Sequence, residues 1–193
     1  VTLDVSPAPS GTRELLQSIV EVAMAIFGAA ASSVFLLDEP EGELVFEAVA
    51  GAGQDFLIGT RIPAGRGIAG WVVSSGQAVI ADDLTGNRTF ARDLAESTGY
   101  VPQALMAAPL LSAGEVLGVL EVIDPAVQSR SSLGDLDLLS LFANQAATAL
   151  RVARGCSHCR DDSEPLVRLA ADESELGAQL VGVFKDFLRH RNG

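Results

Sequence analysis

Lysine is almost missing from this chain: Lys185 is its only one, and arginine supplies the rest of its 13 basic side chains. Set against 25 acidic residues, this leaves a formal charge of −12 with no basic cluster anywhere. A broad phosphate-tracking surface is therefore excluded, and neither nucleic acid nor a membrane surface is an expected partner. Cysteine is nearly as scarce. Cys156 and Cys159 are the only two, too few to frame a domain with disulfides, so apolar packing must hold the core. Although 48% of the residues are hydrophobic, no uninterrupted apolar run approaches the roughly 20 residues of a membrane-spanning helix. The opening stretch VTLDVSPAPSG has neither the basic start nor the apolar run of a secretory signal, and a cytoplasmic location is expected.

What is present suits one main domain with a short appendage, as expected for 193 residues. The Ser, Pro and Gly content of residues 1–11 predicts a flexible leader. Residues 12–154 read as the folded domain, and residues 155–193 as a polar linker and a C-terminal helix. The segment RELLQSIVEVAMAIF sets Leu15, Ile19, Val22 and Ile26 on one helical face, with Gly28 as its stop. SSVFLLD and LVFEAVA read as a hairpin across EPEGE. The glycine-rich crossing that follows admits a short helix over IAGWVVSS, closed by Gly76, and a strand at Ala78 to Ala81. Another short helix is expected over Asn87 to Ser97. A second hairpin turns at SAGE, and VLGVLEVID alternates Val116, Gly118, Leu120 and Val122 on one face with Leu117, Val119, Glu121 and Ile123 on the other. A long helix then carries the stripe Leu136, Leu139, Ala143, Ala146 and Leu150. The last segment, ELGAQLVGVFKDFLRH, spaces Leu176, Leu180, Phe184 and Phe187 as a final helix.

In this order, the pieces ASSVFLLDEPEGELVFEAVAGAG, IPAGRGIAGWVVSSGQAVIADDL, ALMAAPLLSAGEVLGVLEVID and DLDLLSLFANQAATAL resemble a GAF domain, over about Glu14 to Val152. The resemblance implies an α/β (α+β) fold with a central antiparallel sheet of five or six strands. The terminal helices would cover one face, and the glycine-rich crossing would roof the other over a ligand pocket. It also implies a regulatory module that senses a small molecule, rather than an enzyme.

By the same analogy the pocket would be lined by Phe56 and Ile58 from the crossing, by Thr85, Asn87 and Phe90 beyond it, and by Tyr100, Met106 and Ala108. Phe56, Ile58, Phe90 and Met106 equally suit an ordinary core. Trp71 is expected to anchor loops to the sheet. The cyclic-nucleotide-binding signature of the family is matched only in part by NRTFARDLAE, where Arg88 stands for a lysine and no adjacent Asp-Glu pair follows. Cys156, His158 and Cys159 could form a crowded metal or redox site, or simply face solvent in a linker. Both cysteines and both histidines follow the domain body, which disfavours a covalent bilin, a histidine-ligated haem and a cysteine-dependent methionine sulfoxide reductase. No cofactor is expected. Asp82 and Asp83 are adjacent on a strand and should diverge, and no nucleophile elbow, P-loop or dinucleotide fingerprint is present. Glu121 is open to either side, and needs a partner if buried. The expected partners are an unidentified small molecule, a second copy of the chain in a homodimer, and a fused or separate signalling domain. A ligand-free structural or protein-interaction scaffold is the alternative.

Overall fold

The computed structural model describes residues 10–51, 54–84, 90, 92–97 and 100–161. Its centre is a six-stranded antiparallel sheet in the order β3-β2-β1-β6-β5-β4. The strands are β1 (Ala31–Asp38), β2 (Glu43–Gly51), β3 (Arg61–Pro63), β4 (Val79–Ala81), β5 (Leu105–Ser112) and β6 (Glu115–Ile123). Both expected hairpins form, β1 with β2 and β5 with β6. The second closes through Ala113 and Gly114, both at positive φ, as a two-residue turn matched to strand twist requires. The two edge strands, β3 and β4, are three residues long, which leaves little open edge for another chain to pair with.

One face of the sheet is closed by α1 (Ser10–Phe27) and α5 (Leu133–Asp161). Leu16, Val20, Ala23 and Phe27 of α1 join Leu139, Ala143, Ala146, Ala147 and Leu150 of α5 against Val34, Leu36, Met106, Ala108, Leu120 and Val122 of the strands. The α5 stripe lies where its spacing predicts. In α1 the buried stripe is shifted by one residue: Leu15, Val22 and Ile26 are 44%, 42% and 52% exposed. The helix is apolar on two adjoining faces, and the one led by Leu16 has the better fit to the sheet.

The opposite face is covered by α2 (Gln54–Leu57), α3 (Gly67–Ser75) and α4 (Arg92–Ser97). Gly76 ends α3 in the left-handed conformation at φ 66°, its N–H donating to the Val72 carbonyl. Leu57, Ile62, Ile68, Ala69, Val72 and Leu84 pack here on Phe35, Phe46, Leu105, Ala107 and Val119. The glycine-rich crossing thus lies over the sheet.

The strand alternation predicted for VLGVLEVID holds for Val119 to Ile123, but Leu117 joins the helix-side core. An irregularity in the pairing between Pro109 and Leu111 separates it from that alternation. Gly118 permits the closest approach in the sheet: a Cβ there would lie 1.9 Å from the Phe35 carbonyl oxygen. Trp71, expected to anchor loops to the sheet, is 40% exposed on α3.

The expected linker from Arg154 is corrected in part, because α5 continues to Asp161. Gly155 weakens a helix by about 1 kcal/mol but does not stop one that is already propagating. The described residues up to Arg151 belong to one compact unit, and a second unit begins at Val152. The final helix expected around Leu176 to Phe187 and the leader up to residue 9 lie outside the described residues.

Candidate functional site

Between the sheet and its roof lies a cavity of about 130 Å³. Its floor comes from β1, β2, β5 and β6. Antiparallel pairing sets Ser33 opposite Glu121 and Phe35 opposite both Phe46 and Val119, so alternate residues share this face. Phe35 and Phe46 meet with ring centroids 4.2 Å apart. The roof comes from Leu57, Ile62 and the first turn of α3, including Ile68 and Ala69, and the far wall from Phe90, Ala95, Tyr100 and Pro102.

The lining is mostly apolar, with Glu121 as its acidic group. Glu121 is only 8% exposed. Its backbone carbonyl accepts from the Ser32 hydroxyl at 2.9 Å, but no hydrogen bond among the described residues reaches its carboxyl group. Burial pushes the carboxyl up from the usual carboxylate range to about 7, because the charged form has lost water and has no partner among the described residues.

Tyr100 is fixed differently. Its hydroxyl donates to the Asp124 carboxylate at 2.5 Å, while the other carboxylate oxygen accepts the Gln103 and Ala104 N–H groups, both at 2.9 Å. The bond to Asp124, helped by burial and by the charge of that carboxylate, pushes the phenol up to about 12. The phenol is therefore a held wall, neutral at any physiological pH.

Of the residues expected to line a pocket, Phe90 and Tyr100 do so. Phe56 and Ile58 do not: they are 60% and 45% exposed, while Leu57 between them turns inward. Met106 and Ala108 are displaced more completely. They pair with Val122 and Leu120 and belong to the core under the helices, because the strand's parity sends their neighbour Leu105 into the cavity instead. Thr85 and Asn87 lie outside the described residues. Sequence reasoning left Ser33, Phe35, Phe46, Ile62, Ile68 and Glu121 out of the set. A signal existed for Glu121, the lone charge between Val119 and Ile123 on one face of an apolar strand.

Among the described residues, no group of three or more His, Cys, Asp or Glu side chains is placed to hold a metal ion. No described helix is long and apolar enough to cross a membrane. Cys156 and Cys159 fall in the last turns of α5, and the cavity lining contains neither cysteine nor histidine.

A sheet roofed by a glycine-rich crossing, with first and last helices behind it, corresponds to a known family: the model of the GAF domain matches residues 12–150. The chain belongs to the GAF domain family. A probable 3',5'-cyclic phosphodiesterase of Caenorhabditis elegans is 24% identical over 147 residues, 70% of this chain and 20% of that protein. The chain thus spans about a fifth of that relative's length. Among solved structures, the GAF domain from a phosphoenolpyruvate-protein phosphotransferase of Coxiella burnetii superposes with a TM-score of 0.68. It is 20% identical, with 80% of this chain and 89% of that one covered. The free methionine-R-sulfoxide reductase from Neisseria meningitidis, solved with its substrate, superposes with a TM-score of 0.62 at 23% identity. There the coverage is 75% of this chain and 81% of that one. These likenesses show the fold that the chain shares with both proteins.

Proposed function

We propose that this GAF domain is a regulatory module that senses a small molecule in the cavity and relays its occupancy through α1 and α5. The observation that carries this reading is the cavity itself: aromatic and aliphatic walls around a buried carboxyl that has no partner among the described residues, the composition of a binding site rather than of a packed core. A ligand that favours one arrangement of roof and sheet shifts the population toward it. The helices on the other face of the same strands are placed to pass that shift on. The exposed apolar residues Leu15, Val22 and Ile26 of α1 supply a surface for a second copy of the chain.

Thermal melts with a panel of small ring compounds test the reading, with cAMP and cGMP included because of the activity named for the curated relative. A binder at 100 times its Kd is expected to add about 2.7 kcal/mol, a rise of several degrees in Tm. Ala69→Leu, which fills the cavity from α3, should abolish the rise. A panel without any shift, or a shift that survives Ala69→Leu, would refute sensing at this site. The scaffold reading has one observation in its favour: about 130 Å³ is below the roughly 300 Å³ at which ligand pockets usually begin. It predicts the first of those two failures together with an intact helix-mediated dimer.

A further inference from the structure

The cavity's polar groups narrow the class of ligand, on the premise that the cavity is a sensing site. Glu121 and Ser33 are register partners on adjacent strands, 8% and 6% exposed. Neither side chain has a hydrogen-bond partner among the described residues, and both border the cavity. We propose that the cavity selects a compact molecule with an apolar or aromatic body and a cationic nitrogen, an ammonium or amidinium, that seats between Glu121 and Ser33 while its body packs on Phe35 and Phe46.

The chemistry favours this class over the others. A purely apolar ligand would expel water and leave the carboxyl dry and unpaired, a costly arrangement. An anion would meet the charge of Glu121 directly. A cationic nitrogen supplies the missing partner through a charge-assisted hydrogen bond, with the Ser33 hydroxyl accepting a second N–H. The chain's net charge of −12 raises the local concentration of cations. At about 130 Å³, slightly less than the roughly 150 Å³ that holds a benzene ring, the cavity limits the enclosed body to one small ring.

Protonation then controls affinity. Among the described residues, the other ionisable groups lining the cavity are Arg66, ahead of α3, and Tyr100, ahead of β5; the phenol, pushed up to about 12, stays neutral between pH 5.5 and 8.5. Glu121, held near 7 by burial, changes charge within that range. A cation binds its carboxylate form, so a proton competes with the ligand below about pH 7.

Calorimetric or NMR titration of the folded chain with benzamidine, benzyl alcohol and toluene at pH 5.5, 7 and 8.5 tests the proposal. Benzamidine should bind at least tenfold tighter than either neutral probe at pH 8.5. Its affinity should fall about tenfold per pH unit below 7. Glu121→Gln should remove both the preference and the pH dependence while leaving toluene binding unchanged. A second readout needs no variant: the Glu121 side-chain carbon, followed by NMR, should titrate at a lower pH when benzamidine is saturating. Equal affinity for toluene and benzamidine, affinity that rises on acidification, or an unmoved Glu121 titration would overturn the cation assignment and leave the sensing reading intact. Failure of all three probes, together with a blank thermal panel, would overturn both.

Discussion

The two faces of one sheet have been put to different uses. Under α1 and α5 the strands present Val34, Leu36, Met106, Ala108, Leu120 and Val122, and the helices fill the space above them completely enough that most of these side chains have no exposed surface. On the other face the same strands present Phe35, Phe46, Leu105, Glu121 and Ile123 to short helices and turns, and space remains. Long helices bury a continuous stripe and give a close-packed layer. Segments of four to nine residues cannot follow the sheet's curvature so closely. Stability is therefore concentrated on one side and accessible chemistry on the other, while strand pairing keeps the two in contact.

Matched truncations should break this comparison if it is wrong. Leu120→Ala, on the helix side, is expected to cost about 4 kcal/mol, whereas Leu105→Ala, which only enlarges an existing space, should cost about 2 kcal/mol. Urea unfolding of both variants measures the difference, and equal losses would mean that the two faces are packed alike.

Acidity gives the next largest effect. The Glu121 carboxyl titrates near 4.5 when unfolded and at about 7 when folded, so between those values the folded state holds the extra proton. Its favourable contribution is complete below pH 4.5, declines as pH rises and is gone above about 7, a loss of up to about 3 kcal/mol between pH 4.5 and 8. Glu121→Gln should flatten that part of the stability profile. A profile that stays the same after the substitution would show that the carboxyl is hydrated in the folded protein.

The smallest effect on stability is expected on the outward face of α1. Val22→Ser with Ile26→Ser should shift the unfolding free energy by less than about 1 kcal/mol, yet convert a dimer to a monomer in light scattering at tens of micromolar protein. A wild-type chain that is monomeric under those conditions would remove the association from the proposed function.

The sheet, its two hairpins and the helix layer were legible because each rests on a local rule: alternation in β6, small-residue spacing in α5, Gly76 after α3, a two-residue turn at Ala113 and Gly114. The site was less legible because it depends on parity. In β5, Leu105 and Met106 are adjacent and equally apolar, and only the pairing with β6 decides which one enters the cavity. Likewise α1 carries apolar residues on two adjoining faces, so its periodicity offered Leu15 and Leu16 nearly equally. Glu121 was visible as a lone acid in an apolar strand, but its role required knowing that no hydrogen bond among the described residues reaches its carboxyl group.

The pairing of β1 with β2 skips a residue between Val34 and Phe35, so that Glu47 has no opposite number and its carboxylate instead meets Arg13 of α1 at 3.4 Å. In an unbroken ladder Glu47 would stand opposite Phe35 and carry a second negative charge into the chamber, while Phe46 turned away toward the helices. Deleting Val45, which would close the skip with Glu47 opposite Phe35, would therefore recast the chamber from singly to doubly acidic without touching the topology.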